Sequence, residues 1–355
     1  MKPTMAIAAL FILCAVGGVA FSAVEWTGGE VRPIPAAAPA VTPSPLQPVG
    51  VAAPSGMVWV TTLDDEFTES AVNSALWNYG FSNDALCRNA GCTEGVECSS
   101  ARCNDDFNFE NDSISGGLLN QIPIKHIGTG ETNYGGMAGI NTSTKFVQRY
   151  GYFEWRGELP SSNTSSSGNW PAYWMLPEVH SDSPGTPTKR TTNCGQVGNA
   201  AGTPDGHNEE VDLMEDGMGG KGLIGTGSAY SVQATISDYC SLEWQVDMYN
   251  GQDLTATMHT YGLSWVRDGT PEGTMCVYLD GRSFGCHPLD SSSLEWRSGI
   301  YLLTQMVYCA PNGILGAGPC TAKSTEALKT DYVRVWQAVP ISDTTPTASA
   351  TPTPH

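Results

Sequence analysis

The chain has 355 residues and a formal net charge of −19 at pH 7, although only 15% of its residues are charged. This charge argues against nucleic acid or an anionic membrane surface as a partner, because both would repel the protein. Neutral and cationic ligands remain compatible with the composition, and the length permits one large domain or two small ones.

The N-terminus is typical of a secretory signal peptide. Lys2 precedes the apolar run MAIAALFILCAVGGVA, which is short for a bilayer span, and the small residues of AFSA follow it. We therefore predict a signal peptide at residues 1–22 and a secreted, extracellular protein, with a signal anchor as the alternative. No later apolar run is long enough to cross a membrane, so we expect no membrane contact beyond the signal peptide.

Cysteine usage supports secretion. Of the 11 cysteines, Cys14 lies in the predicted signal peptide, and an even number remains, which predicts disulfides without fixing their pairing. Four of the others crowd residues 87–103, where zinc is the alternative to two disulfides, and an acidic secreted loop favours disulfides. Glycosylation sequons at Asn111, Asn141 and Asn163 predict a glycoprotein if the host is eukaryotic.

Composition divides the rest of the chain into three parts. Residues 23–56 form a Pro/Ala-rich linker that cannot build a core, and residues 339–355 form a Thr/Pro-rich tail. Between them, residues 57–338 form a single block, which we predict to be one domain.

This domain has β character throughout. In YGYFEWRGEL (150–159), Tyr152 and Glu154 alternate with Phe153 and Trp155, which is the period of a half-buried strand. TYGLSWVRDG and DYVRVWQAV behave similarly. No window has a sustained helical period, although TEALK (325–329) could form one helical turn. The pattern predicts an all-β sandwich or barrel.

MCVYLDGRSFGC predicts a β-hairpin. Asp280-Gly281 supplies the two positive-φ positions of a two-residue turn. Cys276 and Cys286 flank this turn almost symmetrically, so their side chains could meet.

The segment NEEVDLMEDGMGG (208–220) concentrates acidic residues on a strand-like apolar background. On a strictly alternating strand, Glu210 and Asp212 would share one face and Glu215 would lie on the other. One extra residue between Asp212 and Glu215, a β-bulge, would return Glu215 to the shared face. Because charges on a buried face are costly unless water or a polar ligand reaches them, we expect this face to be open.

Carboxylates that share one open face fit glycoside hydrolysis. One acid attacks the anomeric carbon while another, held protonated, donates to the leaving oxygen. A third acid between them would help to separate their pKa values. A solvated acidic strand or a calcium site is the alternative, although the spacing differs from that of the helix-flanked calcium loop.

EVDLME resembles the active-site signature of glycoside hydrolase family 16, in the bulged form found in laminarinases and related endo-β-1,3-glucanases. Further stretches resemble the family in the same order, covering nearly all of residues 57–338: DDEFTESAVNSALWNYG (64–80), RYGYFEWRGELP (149–160), GNWPAYWMLPE (168–178), HTYGLSWVRDG (259–269), VYLDGRSF (277–284) and DYVRVWQ (331–337).

The resemblance implies a β-jelly-roll sandwich of two antiparallel sheets with a concave substrate cleft. It implies Glu210 as nucleophile, Asp212 as its helper and Glu215 as acid/base in a retaining, endo-acting enzyme, with no cofactor for catalysis. The implied polysaccharide substrate is a β-1,3- or mixed β-1,3/1,4-glucan, and we expect a monomer. A transglycosylase of the same family, or a non-catalytic glucan-binding protein on the same fold, is the alternative.

Four further residues are candidates for substrate binding. Trp170 and Trp174 share parity, and the resemblance places them near the glucose subsites, with core packing as the alternative. Arg156 and Gln305 are candidates for polar sugar contacts. The resemblance also implies that Asp331 and a backbone group near DEF (65–67) bind a structural, non-catalytic calcium ion. A solvated Asp at a strand start is the alternative.

Two departures from the family pattern affect the cleft walls rather than the chemistry. Glu209 stands where a small residue is common, and alternation directs it away from the cleft. Long inserts at 87–103 and 179–208, the second containing Cys194, leave fine specificity open.

Overall fold

The computed structural model describes residues 26–27, 30–31, 46–80, 111–122, 137–160, 169–178, 209–215, 231–238, 244–289, 294–308 and 326–341. The chain divides into two compact units, Met1–Val41 with Ser342–His355, and Thr42–Ile341. The predicted signal peptide, the tail from residue 342 and every cysteine except Cys276 and Cys286 lie outside the described residues.

The described elements are almost all strands. In chain order they are β1 (Trp26–Thr27), β2 (Glu30–Val31), β3 (Met57–Asp65), β4 (Asn78–Tyr79), β5 (Asp112–Ser115), β6 (Leu118–Gln121), β7 (Met137–Asn141), β8 (Gly151–Glu158), β9 (Asn169–Pro177), β10 (Glu210–Glu215), β11 (Val232–Ser237), β12 (Trp244–Met248), β13 (His259–Val266), β14 (Thr274–Leu279), β15 (Arg282–Pro288), the helix α1 (Leu294–Arg297), β16 (Ile300–Tyr308) and β17 (Leu328–Pro340).

These strands form two large antiparallel sheets, besides the β1–β2 pair of the first unit. The order in the seven-stranded sheet is β12-β11-β10-β9-β16-β7-β4. The order in the eight-stranded sheet is β15-β14-β13-β8-β17-β6-β5, and β3 pairs with β17. The prediction of two antiparallel sheets in an all-β domain is confirmed.

The core lies between the two sheets. Val211 and Met175 of the seven-stranded sheet and Trp155, Leu263 and Val335 of the eight-stranded sheet belong to one apolar cluster and are each 0% exposed. Alternate residues along these strands therefore enter the core, and their neighbours project from the outer faces.

The short helix lies elsewhere than the one helical turn that the sequence suggested. The TEALK turn was a wrong prediction, because Leu328 already pairs with Gln121 as the first residue of β17. The short helix α1 has four residues. Within the described ranges, no helix has the length and apolar character needed to span a membrane.

Residues 46–53, which we call the N-terminal strap, pack on the outer face of the eight-stranded sheet. Leu46, Val51 and Ala53 contact the buried cluster of Trp59, Tyr152 and Trp336. The Trp59 indole donates to Val51 O at 3.1 Å, and the Trp336 indole donates to Leu46 O at 2.9 Å. The folded unit therefore begins before residue 57, within the segment predicted to be linker.

The strap also explains why β8 is buried on both faces. Tyr152 and Glu154 are 1% and 0% exposed, although alternation predicted a half-buried strand. Glu154 lies under the strap, where its carboxylate accepts from Val49 N at 3.0 Å and from the Tyr332 hydroxyl at 2.9 Å.

The predicted hairpin is confirmed. Leu279 pairs with Arg282 across the two-residue turn, and Asp280 and Gly281 have φ values of 51° and 74°. Cys276 lies opposite Cys286, and the two form a disulfide.

Two of the three sequons are buried in the fold. Asn111 and Asn141 are 2% and 1% exposed. The Asn141 amide donates to Gly80 O at 3.0 Å and accepts from Ser143 N at 3.1 Å. A glycan on Asn141 would displace these bonds, so these two sites do not fit glycosylation of the folded protein, while Asn163 lies outside the described residues.

Candidate active site

The strand β10 contains the predicted β-bulge. Asp212 and Glu215 pair with Thr235 and Gln233 of β11, so three steps along β10 correspond to two along β11. The pairing with β9 shifts in the same way, between Asp212 and Met214. The extra residue is therefore Leu213, and the bulge prediction is confirmed from both neighbouring strands.

The bulge places three acids on one side of the sheet. Asp212 and Glu215 lie opposite Trp174 and Ala172, which both belong to the apolar cluster on the outer side of the seven-stranded sheet. Glu210 lies two residues before Asp212 and shares its side by alternation. We call this outer side the carboxylate face.

The residues between the acids enter the core. Val211, Leu213 and Met214 are all 0% exposed and belong to the core cluster. Glu210 and Asp212 are half-buried, and Glu215 is 8% exposed. The strand thus anchors its apolar side chains in the core while it presents three carboxylates outward.

Glu209 differs from its neighbour Glu210. It is 0% exposed and has the parity of the core-facing Val211, as alternation predicted. Asp216 lies outside the described residues.

Gln305 lies on the carboxylate face as well. It pairs with Ala172 of β9, and Ala172 pairs with Glu215. Paired residues of antiparallel strands project from the same side, so these residues form one cross-strand row. The Gln305 side chain is 4% exposed, and its Oε1 has no hydrogen-bond partner in the described part of the chain.

Trp174 lies opposite Asp212 on the same face but is mostly covered. It is 4% exposed and packs with Leu176, Tyr301 and Leu303. It therefore forms part of an apolar cluster beside the acids rather than an open platform. Trp170 falls on β9 too, but its side chain lies outside the described residues.

Arg156 is not brought to the carboxylates. It lies on β8 of the eight-stranded sheet, where Phe153 and Trp155 face the core and Arg156 projects outward. Its guanidinium forms an ion pair with Asp331. The position corrects the expectation that Arg156 and the acids share one cleft.

The residues around Asp331 do not fit a calcium site. The charge of Arg156 neutralises the Asp331 carboxylate and opposes a second cation there. No group of three or more His, Cys, Asp or Glu that could hold a metal occurs within the described ranges.

Sequence reasoning missed the polar residues of β11 and β12. Gln233 and Thr235 lie opposite Glu215 and Asp212, and the Gln233 amide donates to Thr235 Oγ1 at 2.9 Å. Asp247 of β12 lies opposite Gln233. The alternation of polar and apolar residues in VQATIS and WQVDM indicates that each segment has one polar face. It could not show which strand each segment would pair with.

The electrostatics of the seven-stranded sheet are one-sided. Its strands contain four acidic residues and no Lys, Arg or His; the acids are Glu210, Asp212, Glu215 and Asp247. The strands themselves thus provide hydrogen-bond acceptors and no cation, which suits a neutral, hydroxyl-rich ligand and disfavours an anion.

Solved structures share this fold. SCLam, a non-specific endo-β-1,3(4)-glucanase from family GH16, matches with a TM-score of 0.53 and 22% identity over 81% of this chain and 94% of that one. The endo-1,3-β-glucanase (laminarinase) catalytic domain of Thermotoga petrophila matches with a TM-score of 0.51 and 20% identity over 79% and 98%. The endo-β-1,3-glucanase of Pyrococcus furiosus matches with a TM-score of 0.52 and 19% identity over 83% and 100%.

Comparison with family models and with curated proteins gives no match. The chain therefore has the jelly-roll sandwich fold of family 16 laminarinases, at low sequence identity. The predicted fold class is confirmed.

Proposed function

We propose that the protein is a secreted, endo-acting glycoside hydrolase of family 16 that cleaves β-1,3- or mixed β-1,3/1,4-glucan with retention of configuration. The observation that carries the proposal is the bulge at Leu213, which sets Glu210, Asp212 and Glu215 on one face. The laminarinase-like fold supports the same conclusion, since the structurally similar proteins are described as β-glucanases.

Each acid has a distinct role in this proposal. Glu210 attacks the anomeric carbon and forms the glycosyl-enzyme intermediate, while Glu215 protonates the leaving oxygen. Glu215 then removes a proton from the water that releases the sugar. Asp212, between them on the strand, hydrogen-bonds the nucleophile and keeps the pKa values of the two glutamates apart.

The carboxylate face also decides which of the four predicted substrate-binding residues belong to the proposed site. Gln305 stays in the proposed site, because it shares the cross-strand row of Glu215. Trp174 supports this face from the apolar cluster beside Asp212 and is not proposed as a stacking platform. Trp170 remains a prediction. Arg156 is left out, because it belongs to the other sheet.

The decisive test replaces the nucleophile. Glu210→Gln keeps the shape of the side chain but cannot attack carbon, so release of reducing ends from laminarin should fall by roughly 10³-fold or more. Glu158→Gln is the matched control, because Glu158 pairs with Lys329 on the eight-stranded sheet. Undiminished turnover by Glu210→Gln would overturn the assignment.

Product analysis completes the test. Laminarin, lichenan, curdlan, agarose and carrageenan are compared as substrates, and the anomeric form of the first product is followed by NMR. Retention predicts the β-anomer first. Longer transfer products in place of hydrolysis would favour the transglycosylase alternative.

A further inference from the structure

The edge strand β12 places a carboxylate in line with the candidate acid/base. Asp247 lies opposite Gln233, and Gln233 lies opposite Glu215. The three therefore form one row on the carboxylate face. At about 4.8 Å per strand, Asp247 lies roughly 10 Å from β10. A glucan chain of several rings that runs across the strands from β10 toward β12 would reach this distance.

Two acceptors in this row are left open by the protein. Asp247 Oδ1 is buried and has no hydrogen-bond partner among the residues described. Gln305 Oε1 lies in the same row, on β16 beyond β9, and is likewise buried without a hydrogen-bond partner among the residues described. A buried acceptor without a donor is unfavourable, and the hydroxyl groups of a bound sugar would supply donors to both.

The surroundings of Asp247 fit a neutral sugar. Burial raises the pKa of the Asp247 carboxyl above its usual value. Tyr249 follows β12 directly and is 52% exposed, the only aromatic side chain among the exposed large apolar residues of the described ranges. An exposed tyrosine ring offers an apolar surface with a polar edge, which complements the face of a sugar ring.

We propose that Asp247 binds hydroxyl groups of an uncharged sugar ring about two strands from β10, with Tyr249 packing against that ring. The Asp247 charge then selects against anionic glucans, which like-charge repulsion disfavours. This inference rests on the proposed function and specifies its substrate: a neutral β-glucan long enough to reach from β10 to β12. Asp247 contacts substrate only and transfers no proton.

The kinetic test uses substrates of different length. In Asp247→Asn, kcat/KM on laminarihexaose should fall about tenfold, mainly through KM, because hydrogen bonds to a charged acceptor are lost. The value for laminaritriose should not change. Tyr249→Ala should show the same dependence on length. An equal loss at every length, or no loss, would overturn the inference.

Charge selection is tested on the same variants. Asp247→Asn should accept carboxymethylated β-1,3-glucan better, relative to laminarin, than the wild-type protein does. Glu158→Gln removes the same charge from the other sheet and should leave this ratio unchanged. An equal change in both variants would show a general charge effect and contradict the inference.

A binding measurement separates this inference from the proposed hydrolysis. Calorimetry compares Glu210→Gln with the double variant Glu210→Gln/Asp247→Asn, neither of which needs to turn over. Weaker binding of laminarihexaose by the double variant supports the inference even if the wild-type protein cleaves nothing. Equal binding by both would overturn the inference while leaving any measured hydrolysis intact.

Discussion

The outer faces of the two sheets differ in how their acidic residues are accompanied by cations. On the eight-stranded sheet, Glu154 is covered by the strap and receives two hydrogen bonds, and Arg156 and Lys329 each pair with an acid. On the seven-stranded sheet, the acids of β10 and β12 face outward without a cation anywhere in its strands. The strands of the eight-stranded sheet thus balance acids with cations, while the strands of the seven-stranded sheet contain acids only, which suits a neutral ligand better than an anion.

The largest effect should come from the carboxylate face. Glu215→Ala should lower turnover of laminarin by about 10²- to 10⁴-fold, because the leaving oxygen loses its proton donor. Aryl glucosides with good leaving groups need little acid assistance and should lose far less. A uniform loss on both substrates, measured by initial rates, would contradict the acid/base role.

Removing the strap should test stability on the opposite face. A chain that starts at Pro54 loses the acceptors of the Trp59 and Trp336 indoles and the donor to Glu154. Unfolding free energy should fall by roughly 3 kcal/mol and Tm by about 6–12 °C. A chain that starts at Thr42, the beginning of the compact unit, is the control. Equal Tm values by calorimetry would show that the strap contributes nothing.

The disulfide of the β14–β15 hairpin should have an intermediate effect. Its cysteines are 10 residues apart, and the chain-entropy relation gives a loss of about 2.7 kcal/mol for the double change of Cys276 and Cys286 to Ser. Activity should be unchanged, because the hairpin is at the edge of the eight-stranded sheet. Denaturant unfolding measures the loss of stability, and laminarin turnover measures activity. A large loss of turnover would contradict the prediction and show that the hairpin supports the carboxylate face.

Glu154→Gln should give the smallest effect, about 1 kcal/mol, with a pH signature. Burial raises the pKa of Glu154 above its usual 4.5, although the hydrogen bonds from Val49 and Tyr332 act in the opposite direction. Folding therefore favours the protonated acid, so the wild-type protein loses stability as pH rises from about 4.5 through the raised pKa. The advantage of the wild type over the variant should shrink over this window. A difference in unfolding free energy between wild type and Glu154→Gln that stays constant with pH would contradict this prediction.

The sequence alone determined the local features of this protein. Asp280-Gly281 required a two-residue turn, and the turn brought Cys276 opposite Cys286. The extra residue in EVDLME required a bulge if its three acids were to share a face. These features depend on neighbouring residues and on the strand period, both of which are visible in one segment.

Only the tertiary structure decided what covers each face and which strands adjoin. Alternation along the strand showed that Arg156 and Phe153 project from opposite faces of their sheet. It could not show that this sheet is the eight-stranded one, which does not contain the candidate acids. It could not show that the strap covers Glu154, or that Asp247 lies in the row of Glu215. Strand order and coverage arise from contacts between segments far apart in sequence, so the parity of one strand does not encode them.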